Sequence, residues 1–191
     1  MKNTKNYLVF LGLAVLSLAC KTDMVDRIDE FNLEQGGYVR TVTPYPVVAS
    51  TFSVSKANMS GTKMELVAEA VTPNKGALFA SYDLSIRFVD ATPANGTKTT
   101  SVVPLKSIAA SAFAKDAQTG YPRATLAVTG KEALDAVKLS DADISSGDRF
   151  ELTAVMRLTD GRSFSVVNTG VNITGGAFYS SPFFYRINIL N

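Results

Sequence analysis

Residues 149–167 read RFELTAVMRLTDGRSFSVV. Phe150, Leu152, Ala154, Met156 and Leu158 recur at every second position. Successive side chains of a strand point to opposite faces, so this spacing describes a strand with one face in a core and one toward water. Asp160-Gly161 then supplies a favoured two-residue hairpin turn, and Arg162 to Val167 returns. A hairpin of this kind commits the region to an antiparallel sheet.

The same texture runs outward in both directions. Tyr82 to Phe88 alternates Tyr82, Leu84, Ile86 and Phe88 inward, and Phe183 to Leu190 does so with Phe183, Tyr185, Ile187 and Ile189. Met64 to Val71 places Met64, Leu66, Ala68 and Ala70 on one face, leaving Glu65, Val67 and Glu69 on an exposed one. Further strands are expected at Tyr38–Val42, ended by Pro44 and Pro46, at Val47–Val54 with Val48, Phe52 and Val54 apolar, and at Ala124–Val128. Ser101–Ile108 also has strand character, but Pro104 makes it an edge or a bend. Asn95-Gly96 is the expected tip of the polar turn at 91–100. Thr129-Gly130-Lys131-Glu132 forms a capping box opening a helix over about residues 131–138. The expectation is an all-β, immunoglobulin-like β-sandwich of seven to eight antiparallel strands with one short helix, spanning 37–191. Two small domains or another two-sheet topology stay open.

The N-terminus carries an address. Lys2 and Lys5 precede an apolar run from Tyr7 to Leu18, followed by Ala19 and the chain's single cysteine, Cys20. A basic start, a hydrophobic centre too short to span a bilayer and small residues before a cut make a secretory signal peptide over 1–19. Ser17-Leu18-Ala19-Cys20 resembles a bacterial lipobox, although leucine sits at position 16 and not 17. Cys20 is therefore the expected lipidation site. Residues 20–36, polar and acid-rich, read as a lipidated tether.

Composition narrows the chemistry. The 19 basic residues lose Lys2 and Lys5 with the signal, leaving 17 against 17 acids. A neutral body lacks the basic field that nucleic-acid binding needs. Histidine is absent, which excludes Ser-His-Asp and Cys-His catalysis and imidazole zinc sites. A lone cysteine permits no intramolecular disulfide. Asp141 to Asp148 invites a calcium reading, but counting from Asp141 the EF-hand glycine and glutamate positions hold Ser146 and Leu152. That stretch reads instead as a capped turn leading into the Arg149 strand. No acid stands within an apolar run where burial would raise its pKa, so no catalytic pair is assigned. Arg40, Arg87 and Arg157 are expected on outward faces, simply solvated. No metal, cofactor or catalytic residue is expected.

The aromatic C-terminal segment offers the best contact candidates: Phe178, Tyr179 and Phe184 could form an exposed patch for a sugar or a protein. The lipobox, GGYVRTV, ATPANG, SIAASAF, LTDGRSFS and the terminal GGAFYSSPFFYRINI together resemble small surface lipoproteins of the Bacteroidota that occur with SusC/SusD-type outer-membrane transporters. That resemblance implies a non-enzymatic accessory or binding subunit, lipid-anchored in the outer membrane and exposed on the cell surface, with SusC/SusD-type proteins as partners. An independent glycan-binding module is the alternative, and a surface hydrolase a more distant one.

Overall fold

A computed structural model of the chain describes residues 36–92, 96–174 and 183–191. The expected signal (1–19), residues 20–35 of the expected tether with Cys20, the contact candidates Phe178 and Tyr179, and Asn95 of the expected turn tip lie outside the described residues.

Ten strands are present among the described residues: β1 (Tyr38–Thr43), β2 (Phe52–Ser55), β3 (Lys63–Val71), β4 (Phe79–Val89), β5 (Val103–Ala109), β6 (Ala114–Lys115), β7 (Pro122–Thr129), β8 (Arg149–Leu158), β9 (Ser163–Ser165) and β10 (Phe184–Leu190). One sheet has the order β1-β3-β7-β6. The other runs β2-β10-β8-β4-β5, with β9 pairing the end of β8 that β10 leaves free. The body is an all-β sandwich, and the short β6 and β9 carry the strand number past seven or eight.

Period-two alternation builds its interior. The inward residues expected on β3, β4, β8 and β10 are all buried, and they join Val39, Phe52, Val54, Leu126 and Val128 in one apolar cluster drawn from both sheets. Burial of this kind supplies roughly 1.5–3 kcal/mol per large side chain. Within the cluster the Tyr82 and Tyr185 hydroxyls lie 3.1 Å apart, each a polar group that would be costly to bury alone.

Three local expectations are corrected. The turn after β8 has three residues, not two: Gly161 N–H donates to Leu158 O at 3.2 Å, Leu158 N–H donates to Arg162 O at 2.9 Å, and Gly161 takes φ +88°. This is a type I turn with a glycine bulge, a conformation that needs a left-handed residue at its end. The strand expected from Val47 begins only at Phe52. Val48 N–H donates to the Thr51 hydroxyl at 2.7 Å and Thr51 N–H to Val48 O at 3.0 Å, closing a turn that leaves Val48 exposed. Finally, β2 pairs β10 in parallel, Ile187 with Phe52 through Leu190 with Ser55, because residues 44–51 carry the chain from one sheet to the edge of the other. The other strand pairs are antiparallel among the described residues. Pro104 behaves as expected: β5 is an edge strand, and its register shifts between the partners of Leu84 and Ser85.

The helix α1 (Gly130–Val137) starts where the capping residues place it, with the Thr129 side chain accepting from Glu132 N–H at 3.1 Å. It buries Ala133, Leu134 and Val137 and ends at Lys138 in the left-handed region, φ 58°. Its first residue has to be small. A Cβ on Gly130 would lie 2.8 Å from Met59 Sδ and 2.9 Å from the Met59 carbonyl oxygen. Gly130→Ala should therefore destabilise the fold by about 1–3 kcal/mol despite alanine's better helix propensity, read as a lower thermal midpoint.

The tyrosine pair gives a pH expectation. Burial, reinforced by Tyr185, pushes the Tyr82 hydroxyl well above the ordinary tyrosine range, and burial raises Tyr185 despite its bond to Tyr82. Above pH about 10 the unfolded chain loses these protons first, so their contribution is complete below that pH and is lost as pH rises. The thermal midpoint should fall above pH 10, and less steeply in a Tyr82→Phe, Tyr185→Phe double variant.

Candidate functional site

The outward faces of both sheets carry the same device: a carboxylate on a central strand, flanked in register by arginines on its neighbours. On the four-stranded sheet Glu69 of β3 pairs across to Arg40 of β1 and Arg123 of β7. Its side chain is fully buried, contrary to the expected exposed face. Arg40 reaches Glu69 Oε1 and Arg123 Nε lies 2.6 Å from Oε2, with the Thr119 hydroxyl at 2.9 Å. Arg123 Nη1 also donates to Asp116 at 2.8 Å. Long arginine stems cover the carboxylate while their heads neutralise it, which is how an outward strand position becomes a buried one.

On the six-stranded sheet Glu151 of β8 stands between Arg87 of β4 and Arg186 of β10. Arg87 donates to Oε2 through Nε at 2.9 Å and Nη2 at 2.5 Å, and Arg149 Nε donates to Oε1 at 2.8 Å. Burial raises the Glu151 pKa, but the bonds from Arg149 and Arg87 outweigh it and hold the carboxyl below its ordinary value. Asp83, against Ser107, Ser81 and Arg157, follows the same logic: burial raises it and these donors more than offset that. Arg40, Arg87 and Arg157 are thus ion-paired, not simply solvated. Strand periodicity places them outward but says nothing of which charge the next strand sets opposite.

Asp148, at the end of the stretch read as a capped turn, is a third buried acid. It accepts from Ala91 N–H at 2.9 Å, the Thr92 hydroxyl at 2.8 Å and Ser145 N–H at 2.7 Å, tying the loop after β4 to the entry of β8. Asp143 caps the short turn at 141–143, taking the Ser140 amide at 2.9 Å and hydroxyl at 2.7 Å. Its carboxyl is held far below the usual range, first by Lys98 and then by Ser140. The capped-turn reading of 141–148 is borne out. Among the described residues no three His, Cys, Asp or Glu side chains gather as a metal site would require.

The concave feature of interest lies at the edge of the six-stranded sheet. Val47, Val48 and Ala49 from the β1–β2 connection face Phe184, Tyr185 and Arg186 of β10 across a cleft of about 140 Å³. The Asn188 amide pins one wall, donating to the Ala49 carbonyl at 2.8 Å and the Phe52 carbonyl at 3.3 Å. Phe184, a contact candidate from the sequence, is 37% exposed here, and Val48 is 55% exposed. Arg186 supplies the charge, and its Nε is buried without a hydrogen-bond partner among the described residues. The sequence marks Phe184 through alternation. It does not mark Arg186 or the Val47–Ala49 wall, whose closeness to β10 depends on the parallel β2 pairing.

No protein-family model matches the chain, and no curated protein matches it either.

The buried carboxylate gives a sharp test of the outer face. Removing one member of a buried ion network leaves its partners uncompensated, whereas exposed pairs contribute little. Glu69→Ala should cost about 3 kcal/mol by denaturant unfolding. Removing the exposed Lys63–Glu65 pair through Glu65→Ala should change stability by about 1 kcal/mol at most.

Proposed function

We propose that this protein is a non-catalytic, lipid-anchored lipoprotein of the outer-membrane surface, an accessory or binding subunit beside a SusC/SusD-type complex, with a sandwich of the immunoglobulin-like kind. The observation that carries the reading is Ser17-Leu18-Ala19-Cys20 behind a basic, apolar leader. Acylation at Cys20 would anchor the chain, each buried methylene contributing roughly 0.8 kcal/mol. The described body begins at Gly36, and a segment the length of residues 21–35 spans at most about 50 Å when extended. A body leashed within that distance of the bilayer meets membrane partners at high effective concentration, so a modest contact suffices. No helix among the described residues is long and apolar enough to cross a membrane.

The geometry supports docking over catalysis. Glu69, Glu151 and Asp148, the acids held away from water, are each engaged by arginines or by amide and hydroxyl donors that fix strands and loops. What the surface offers instead is exposed apolar area at Tyr45, Val48 and Phe184.

Radiolabelled palmitate fed to cells expressing the full chain should enter the protein, and the label should vanish in Cys20→Ala. Extraction in mild detergent should then recover a SusC-type barrel with the tagged wild-type chain. An unlabelled wild-type chain overturns the anchoring, and repeated recovery of the chain alone overturns the partnership.

A further inference from the structure

The outward face of the six-stranded sheet holds more positive charge than it neutralises. Arg87, Arg149 and Arg186 surround Glu151, and both Glu151 oxygens are already taken by Arg87 and Arg149. Arg186 stands in register with Glu151 yet makes no hydrogen bond there, and its Nε is buried and unpartnered among the described residues. A buried donor with no acceptor costs on the order of 1–3 kcal/mol, and among the described residues the Arg186 guanidinium is left without a compensating anion. The same residue lines the cleft whose remaining walls are Val47, Val48, Ala49, Phe184 and Tyr185.

We propose that this cleft is a carboxylate-binding subsite, in which Arg186 takes an acidic group of a partner polypeptide while Val47, Val48 and Phe184 hold the apolar side chain next to it. Two features of the site select that chemistry. Guanidinium pairs with carboxylate through parallel N–H donors, so a planar anion fits it best. Beside Arg186 the described lining at Val47, Val48 and Phe184 is apolar, which suits an apolar side chain next to the acid. An acidic peptide brings an apolar neighbour that these walls accommodate. The site rests on the docking reading only for the source of the carboxylate.

The test uses the full chain in detergent, with N-acetylleucine, its uncharged amide and glucuronate as probes, followed through the arginine Nε–H resonances. N-acetylleucine should saturate a shift of the Arg186 signal, binding at least tenfold more tightly than the amide or glucuronate. Followed by isothermal titration calorimetry, Arg186→Gln should lose the heat of N-acetylleucine binding without changing the thermal midpoint by more than a few degrees. Val48→Asp, at an exposed wall position, should weaken it at least tenfold by presenting its own carboxylate to Arg186, and serves if Arg186→Gln fails to fold. Equal binding of acid and amide, tighter binding of glucuronate, or unchanged binding in either folded variant overturns the subsite. None of these readouts involves the acyl group or the transporter, so the subsite and the anchored-subunit reading fail separately.

Discussion

Strand β8 sits between β4 and β10 and asks opposite things of its two faces. Inward, Phe150, Leu152, Ala154, Met156 and Leu158 are buried in the shared core. Outward, Glu151 must be charged and yet lies nearly out of water, so it survives only because arginines reach it from the same strand and from β4. Its ladder with β4 runs from Arg149 to Leu158, so a shift by one residue would turn the apolar set to solvent and strand the carboxylate in the core. Register is fixed from both sides of the sheet at once.

The four-stranded sheet repeats this solution with Glu69, Arg40 and Arg123. Such ladders are a weak source of net stability, because desolvation offsets most of the Coulombic attraction. Their effect is on specificity: a misregistered pairing would leave a buried carboxylate facing an apolar or like-charged neighbour. The surplus arginine beside Glu151 departs from that balance. It stands beside the apolar loop segment that Asn188 and the Thr51 turn pin into the wall of a cleft.

Much of the fold was legible in single residues. The alternation of Tyr82 to Phe88, Arg149 to Leu158 and Phe183 to Leu190 is a local property of the chain, and the inward residues it names are buried. Thr129 and Pro104 also act through their own chemistry, as a helix cap and as an edge-strand residue, so both are readable without a partner. The Asp160-Gly161 turn was readable in kind but not in length, since a glycine of positive φ suits the two- and three-residue forms alike. Phe184 was legible as an outward aromatic. Glu69, Glu151 and Arg186 were not legible as a site, because polar residues at outward positions look alike until the neighbouring strands are known.

By itself, then, the sequence determined what short-range physics controls: strand faces, the helix start and the all-β class. Tertiary structure alone decided which outward charges meet, that Glu69 is buried, that β2 enters parallel to β10, and that Arg186 shares a cleft with Val47 and Val48. The reason is separation along the chain. Each of those contacts joins residues far apart in sequence, and the energy that selects them belongs to the shared core and the paired edges and not to any one segment.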